Sequence, residues 1–136
     1  PLREILDERE EDRWKAAYET QLWSAALLVQ EIVPALVERR WGRVIGVTSA
    51  SVKHPMPHHG LSTIFRAGVT GMLKHLANET AAQGVTVNVV GPGSIGTETF
   101  MTRPDAAARG KTIPVGRLGR PEECAAAAVF FVVSAQ

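Results

Sequence analysis

Apolar positions in the first third of the chain recur at helical spacing. Between about Asp7 and Arg40 they stand three or four residues apart, at Trp14, Tyr18, Leu22, Ala25, Leu28, Ile32 and Leu36. This period predicts one long amphipathic helix. Pro34 lies inside the segment and is expected to kink it, because proline removes one hydrogen bond of the helical ladder.

Two short runs rich in β-branched residues follow, RVIGVTS from Arg43 and VTVNVV from Val85. They predict buried parallel strands. Between them, helical spacing returns from about Leu61 to Gln83, and Gly84 supplies a stop. The segment GPGSIGTET after the second run predicts a loop. In RPEECAAAAVFFVVS, Pro121 and the two glutamates after it predict the first turn of a last helix.

The order helix, strand, helix, strand, loop, helix is typical of an α/β layer with a right-handed crossover. Parallel sheets are normally covered on both faces and contain more than two strands. Residues 1–136 are therefore expected to form a single but incomplete domain, the C-terminal part of a doubly wound fold.

Composition and charge indicate which classes of binding partner and which cellular location are expected. The net charge is +1 and 45% of the residues are apolar, so no basic stripe predicts nucleic-acid binding. The apolar stretches are interpreted as too short and too interrupted to cross a membrane. The charged opening PLREILDEREEDR is interpreted as a solvated helix start without the apolar segment of a signal peptide. The one cysteine, Cys124, is expected to pack as a small apolar side chain, and a cytoplasmic location fits its lack of a disulfide partner.

Three segments, in order and spacing, resemble the short-chain dehydrogenase/reductase family: WGRVIGVTSAS, RAGVTGMLKHLANETAAQGVTVNVVGPGSIGTET and IPVGRLGRPEECAAAAVFF. The resemblance covers nearly the whole chain as the family's C-terminal portion, similar to the 3-oxoacyl-carrier-protein reductases. It implies a Rossmann-like sheet, NADP or NAD as cofactor, and hydride transfer with a small carbonyl or alcohol substrate such as a 3-oxoacyl thioester. The two long helices resemble the pair that forms the family's four-helix interface, which implies a homodimer or homotetramer.

The same resemblance assigns four catalytic positions. The family's serine falls at Ser49, its tyrosine at Ser62, its lysine at Arg66 and its asparagine at Gln21. SxxxR thus stands where YxxxK is expected, at a spacing that puts both side chains on one helix face. A serine hydroxyl is far less acidic than a phenol, whose pKa is about 10, so Ser62 is a poor general acid. Arg66 can hold ribose hydroxyls but cannot pass on a proton.

The loop after the second strand resembles the family's cofactor loop. The resemblance implies that cofactor contacts come from Arg66 and from the loop residues Pro92, Gly93, Ser94, Ile95 and Thr97. The family's glycine-rich phosphate loop has no counterpart in the sequence. A plain turn is the alternative interpretation of this segment.

The segment HPMPHHG offers an alternative proton donor to Ser62, because His54, His58 and His59 precede Ser62 there. An imidazole titrates near neutral pH, although an exposed polar loop explains the same residues. No metal site is predicted, and Tyr18 is expected to lie in the core. Three hypotheses follow: an oxidoreductase, a catalytically impaired relative that binds cofactor or serves as a scaffold, and a unit of assembly only.

Overall fold

The computed structural model describes residues 3–134. The chain divides into two compact units, Pro1–Gly91 and Pro92–Gln136, which are described separately. The first contains a parallel pair of strands with helices packed on it, so the predicted α/β class is confirmed. That residues 1–136 belong to one incomplete domain stays a prediction.

The first long helix is built from three segments. These are α1 (Glu11–Tyr18), a π turn (Glu19–Trp23) and α2 (Ser24–Glu38). The predicted start near Asp7 is wrong, because Asp7 belongs to a separate 3₁₀ turn, Ile5–Asp7. Helical structure continues through Pro34, and the winding changes in the π turn instead.

Two hydroxyl groups accompany this change of winding. Thr20 Oγ1 donates to the carbonyl of Ala16 at 2.7 Å, and Ser24 Oγ donates to the carbonyl of Thr20 at 2.7 Å. Such bonds compete with the regular ladder and bend helices. The local distortion therefore has a physical cause within the sequence.

The sheet consists of β1 (Gly42–Val47) and β2 (Val85–Val90), which pair in parallel from Gly42 opposite Val85 to Val47 opposite Val90. Both predicted strands are confirmed. The connection between them contains a 3₁₀ turn (Ala50–Val52), α3 (Gly60–Thr80) and a second 3₁₀ turn (Ala81–Gln83). A return crossover of this kind is what parallel pairing requires.

The core lies between the helices and one face of the sheet. Val33 of α2 packs there with three buried residues of α3, and apolar side chains of the π turn, α2 and both strands complete it: Val69, Leu73, Leu76, Leu22, Val29, Val44, Val87 and Val89. A Cβ at Gly46 would lie 2.2 Å from Leu73 Cδ1. The absence of a side chain at this position lets α3 pack closely on β1.

Gly84 ends the crossover as the sequence predicts. Its φ is +74°, in the left-handed region that glycine adopts without strain. A Cβ there would also lie 2.4 Å from the carbonyl oxygen of Arg40. Backbone conformation and packing therefore both require glycine at this position.

The helical stretch Glu11–Glu38 is long and apolar enough to cross a membrane by length and composition, with a mean hydropathy of 1.3 in its most apolar window. The interpretation that no apolar stretch reaches this length is therefore wrong. One such helix is weak support for a span, since core helices of soluble proteins pass the same test. Only 6% of that window is buried within the chain, which leaves much of this helix open to a partner.

Within residues 92–134 the second unit contains three helices. They are α4 (Glu98–Met101), α5 (Ala106–Lys111) and α6 (Pro121–Val133). The last confirms the helix predicted from Pro121, and Cys124 is partly buried in it. An isolated bridge joins Ile95 to Gly119, with Gly96 N–H donating to the Gly119 carbonyl at 2.8 Å.

Glu123 fixes the start of α6 and makes that start sensitive to acid. Its carboxylate accepts from Arg117 Nη2 at 2.7 Å and from the Arg120 amide at 2.8 Å. The Arg117 guanidinium, followed by that amide, lowers the pKa of Glu123 to about 2. A carboxyl whose pKa is depressed on folding stabilises the folded state above its ordinary pKa of 4.5 and loses that contribution as pH falls toward 2.

We therefore predict that Glu123→Gln removes an acid-dependent loss of helix between about pH 4.5 and 2. The measurement is an acid titration followed by far-ultraviolet circular dichroism. Glu122→Gln is the matched control, because Glu122 lies in the same first turn, and it should keep the parent profile. Superimposable titrations of parent and Glu123→Gln would contradict this role for Glu123.

Candidate active site

Ser49 lies just beyond the carboxyl end of β1. Thr48 N–H donates to the carbonyl of Val90 at 2.9 Å, which extends the pairing of the two strands to the residue before Ser49. Ser49 Oγ accepts from the amide of Ser51 at 3.1 Å and so caps the 3₁₀ turn Ala50–Val52. The side chain is partly exposed. Its hydroxyl proton makes no hydrogen bond to residues 3–134 and is available to a ligand.

Gly91, the residue after β2, lies beside this strand end. A Cβ at Gly91 would lie 3.4 Å from both the carbonyl carbon and the carbonyl oxygen of Ser49. Carboxyl ends of parallel strands are where open α/β sheets bind ligands. The position of Ser49 therefore suits contact with a ligand better than a role in the core.

Ser62 and Arg66 lie on the first two turns of α3 and contact each other. Arg66 Nε donates to Ser62 Oγ at 3.1 Å, and Arg66 Nη1 donates to the carbonyl of Thr48 at 2.9 Å. One guanidinium thus joins the first turn of α3 to the residue before Ser49. The structure brings Ser49, Ser62 and Arg66 to the same end of the sheet.

Gln21 occupies the middle of the π turn and borders two clefts. Ser62 and His59 line one of them, and Thr48 and Arg66 line the other. Its Oε1 atom is buried and accepts no hydrogen bond from residues 3–134. Buried acceptors are nearly always paired in folded proteins. Gln21 Oε1 is therefore a candidate acceptor for a water molecule or a ligand.

The cleft beside Ser62 is also lined by the segment that precedes α1. Glu8 is buried, with 7% of its surface exposed, and accepts from Arg13 Nε at 2.5 Å and Arg13 Nη2 at 2.9 Å. This hydrogen-bonded guanidinium holds the pKa of Glu8 below its ordinary value. The interpretation of the charged opening as a solvated helix start is wrong at Glu8, where the local ion pair permits burial.

Two of the three loop histidines line the same cleft. His58 Nδ1 lies 3.1 Å from Glu4 Oε1, and its φ is +63°. His59 Nδ1 lies 2.8 Å from the carbonyl oxygen of Pro57. Both are cleft residues together with Ser62, whereas His54 is exposed elsewhere in the loop. Between residues 3 and 134, no three histidine, cysteine, aspartate or glutamate side chains lie close enough to hold a metal ion.

Tyr18 is more exposed than expected. Its ring packs edge to face on Phe65 at a centroid distance of 6.2 Å and stacks on Trp23 at 6.3 Å. Yet 40% of its surface is exposed. The prediction of a core position is therefore wrong, because α1 gives way to the π turn directly after Tyr18 and the helix face turns there.

The predicted cofactor-loop residues belong to the second unit. Ser94 Oγ accepts from Arg109 Nε at 3.2 Å, and Thr97 Oγ1 accepts from the amide of Phe100 at 3.2 Å. Thr97 thereby caps α4, and Ile95 forms the bridge to Gly119. Pro92 and Gly93 precede these contacts. Cofactor binding by this loop stays a prediction.

Comparison with known proteins matches residues 2–136 to a family model described as enoyl-(acyl carrier protein) reductase. The chain is 37% identical to nodulation protein G of Azospirillum brasilense over 82% of this chain and 46% of the relative. It is 36% identical to the 3-oxoacyl-[acyl-carrier-protein] reductase of Salmonella typhimurium over 93% of this chain and 52% of the relative. An acetoacetyl-CoA reductase of Shinella zoogloeoides is 34% identical over 88% of this chain and 51% of the relative. The chain thus spans about half the length of the curated relatives it matches.

We predict that Ser49→Ala lowers the free energy of unfolding by about 1 kcal/mol, because the Ser51 amide loses its cap. Urea unfolding of the 136-residue chain measures this. Ser24→Ala is the control, since Ser24 Oγ only donates to a carbonyl on an exposed helix turn, and it should change stability by less than about 0.5 kcal/mol. Equal stability of Ser49→Ala and the parent would refute the capping role.

Proposed function

Since the chain belongs to the short-chain dehydrogenase/reductase family, we propose that it is the C-terminal part of an NAD(P)-dependent oxidoreductase that interconverts a small carbonyl compound and its alcohol. A 3-oxoacyl thioester is the proposed substrate class, because relatives named for 3-oxoacyl and acetoacetyl thioesters match along most of the chain. The observation that carries the proposal is the hydrogen bonding of Arg66 to Ser62 and to the residue before Ser49.

The proposed roles follow from the donors and acceptors at the site. A bound nicotinamide cofactor supplies or takes the hydride at the carbonyl carbon. Ser49 has a free hydroxyl proton and donates it in a hydrogen bond to the carbonyl oxygen of the substrate. Gln21 holds a water molecule through its buried Oε1 atom. Arg66 uses N–H groups that are not bonded to Ser62 or Thr48 to hold the ribose hydroxyls.

The loop that begins the second unit is proposed to bind the cofactor. Pro92, Gly93, Ser94, Ile95 and Thr97 form the segment that corresponds to the family's cofactor loop. Backbone amides of such a loop contact the cofactor without requiring particular side chains, and apart from Gly93 and its two neighbours in sequence no described atom lies within 4 Å of a Cβ built at Gly93. This open approach supports a backbone contact with a ligand.

Proton transfer is where this site differs from an ordinary family reductase. When hydride adds to the carbonyl carbon, the oxygen must take a proton. Ser62 already accepts a hydrogen bond from Arg66, yet its aliphatic hydroxyl remains a much weaker acid than a phenol. A catalytically impaired relative that binds cofactor is therefore the second candidate, and Ser62 at the tyrosine position favours it.

We predict that the 136-residue chain alone has little or no reductase activity. In a longer protein that includes the upstream half, NADPH or NADH should bind, and Ser62→Tyr with Arg66→Lys should raise turnover of a generic ketone. A general acid typically contributes about 10²- to 10⁴-fold, which sets the expected range of the gain. Steady-state oxidation of NADPH and NADH measures it.

The matched control is Ser62→Phe with Arg66→Lys, which adds the ring without the acidic hydroxyl and should give no gain. A parent as fast as an ordinary family reductase would contradict the impaired proton transfer and point to His58 or His59 as donor. Failure of the longer protein to bind either nucleotide would contradict the oxidoreductase assignment itself.

We further propose that the protein is a cytoplasmic homodimer or homotetramer held through its two long helices. Large apolar side chains are exposed on α2, with 60% of Leu28 and 54% of Ile32 open to solvent. On α3, Ile64 is also exposed, and apart from Gly71, its neighbours in sequence and the nearby backbone of the same helix, no described atom lies within 4 Å of a Cβ built at Gly71. An apolar surface with a glycine that permits close approach suits a second copy of the same helices.

Gly68 and Gly71 of α3 distinguish packing within one chain from packing between copies. A Cβ at Gly68 would lie 3.3 Å from Leu22 Cδ2, so Gly68 serves contact with the π turn of the same chain. We predict that Gly71→Glu reduces the mass measured by light scattering to that of a monomer, while the circular dichroism spectrum stays that of the parent. Ala81→Glu, an exposed position outside α3, is the control and should keep the parent mass. A parent that is already a clean monomer at micromolar concentration would overturn the assembly proposal.

A further inference from the structure

Arg66 hydrogen-bonds to Ser62 and to Thr48, the residue before Ser49. Its Nε and Nη1 atoms donate in different directions, one to a side chain on α3 and one to a backbone carbonyl at the end of β1. The acceptor residue Thr48 is buried, with 7% of its surface exposed, and Arg66 itself is partly buried. A charge-assisted bond to a buried carbonyl is stronger than one formed in water.

The chemistry of the guanidinium explains why arginine rather than lysine suits this place. A guanidinium holds five N–H donors in a rigid plane, so one side chain reaches two acceptors with a fixed angle between them. An ammonium group is a single donor atom on a flexible stem, and it cannot hold both acceptors in the same geometry. Three N–H groups of Arg66 remain beyond the bonds to Ser62 and Thr48.

We propose that Arg66 is a positioning residue that sets the separation of Ser49 and Ser62 by tying the carboxyl end of β1 to the first turns of α3. This tie, formed by the hydrogen bonds of Arg66 to Ser62 and Thr48, acts in the chain itself without cofactor or substrate. The proposal therefore goes beyond the proposed oxidoreductase function. In this account the SxxxR pair is a structural unit: the serine is short enough to accept from Nε, and the arginine is long enough to reach Thr48. Restoring lysine at this position restores a family residue but loosens the strand end.

Amide hydrogen exchange of the full 136-residue chain, measured by NMR, tests the tie where it acts. In Arg66→Met, the amides of Thr48, Ser51 and Val52 should exchange at least about tenfold faster than in the parent, because a bond from a charged donor is lost. Amides in the middle of β1, such as that of Val44, should change by less than about twofold. Arg66→Lys, which retains one donor, should lie between parent and Arg66→Met.

Ser62→Ala tests the two hydrogen bonds of Arg66 separately. It removes the acceptor for Nε and leaves the bond to Thr48, so the Arg66 Hε resonance should shift while exchange at Thr48 stays within about twofold of the parent. Arg40→Met is the matched control. Arg40 Nη2 also donates to a distant backbone carbonyl, that of Ala82 at 3.3 Å, but on the exposed surface, and its loss should leave the amides of residues 48–52 unchanged.

Three results would overturn the proposal. The first is parent-like exchange at Thr48 and Ser51 in both Arg66→Met and Arg66→Lys. The second is an acceleration in Arg66→Met that is as large at Val44 as at Thr48, which indicates general destabilisation. The third applies if Arg66→Met does not fold: it is parent-like exchange at residues 48–52 in Arg66→Lys. Selective acceleration there in Arg66→Lys would instead support the tie. None of these readouts depends on turnover or nucleotide binding, so they are independent of the oxidoreductase proposal.

Discussion

Parallel pairing of β1 with β2 is the constraint from which the site follows. Parallel strands end at the same edge, so Ser49 after β1 and Gly91 after β2 lie side by side. Parallel pairing also requires a return crossover, and α3 provides it by packing on the helix-facing side of the sheet through Leu73. The first turns of α3 then lie beside the strand ends, where Arg66 reaches the carbonyl of Thr48.

The strands were predictable from their runs of β-branched residues, the crossover helix from its helical spacing of apolar residues, and the last helix from Pro121 and the two glutamates after it. Gly84 was predictable as a stop for a similarly local reason, its left-handed backbone. The π turn was missed, since Trp14 and Leu28 keep approximate helical spacing on either side of it. The signal that could have revealed it is the pair Thr20 and Ser24, whose hydroxyls bond back to preceding carbonyls.

The site itself was predictable only through a resemblance. Spacing alone puts Ser62 and Arg66 on one helix face, but nothing in the sequence indicates that Arg66 reaches Thr48, eighteen positions earlier. The burial of Glu8 was also beyond a local pattern, because its partner Arg13 stands five residues away and outside the usual helical spacings. Long-range contacts of charged groups are not encoded in the periodicity on which sequence interpretation depends.

The proposed mechanism keeps groups that can bind substrate and cofactor, but its proton donor, Ser62, is a weaker acid than the tyrosine expected in this family. In this proposal Ser49 donates from its hydroxyl, Gln21 offers a buried acceptor, and Arg66 supplies the positive charge assigned to the ribose. The proposal places the weakness in proton donation, since Ser62 has neither the acidity nor the length of a phenol. The proposal therefore predicts that carbonyl reduction at this site depends on a proton supplied by the solvent or buffer.

The most direct measurement of this claim is the dependence of ketone reduction on an added small acid. With the longer protein at fixed pH and ionic strength, the rate of NADPH oxidation should rise linearly with imidazole buffer concentration, because imidazolium supplies the proton that Ser62 does not. Ser62→Tyr should remove that dependence. A parent rate that is independent of buffer and equal to that of an ordinary family reductase would contradict the account.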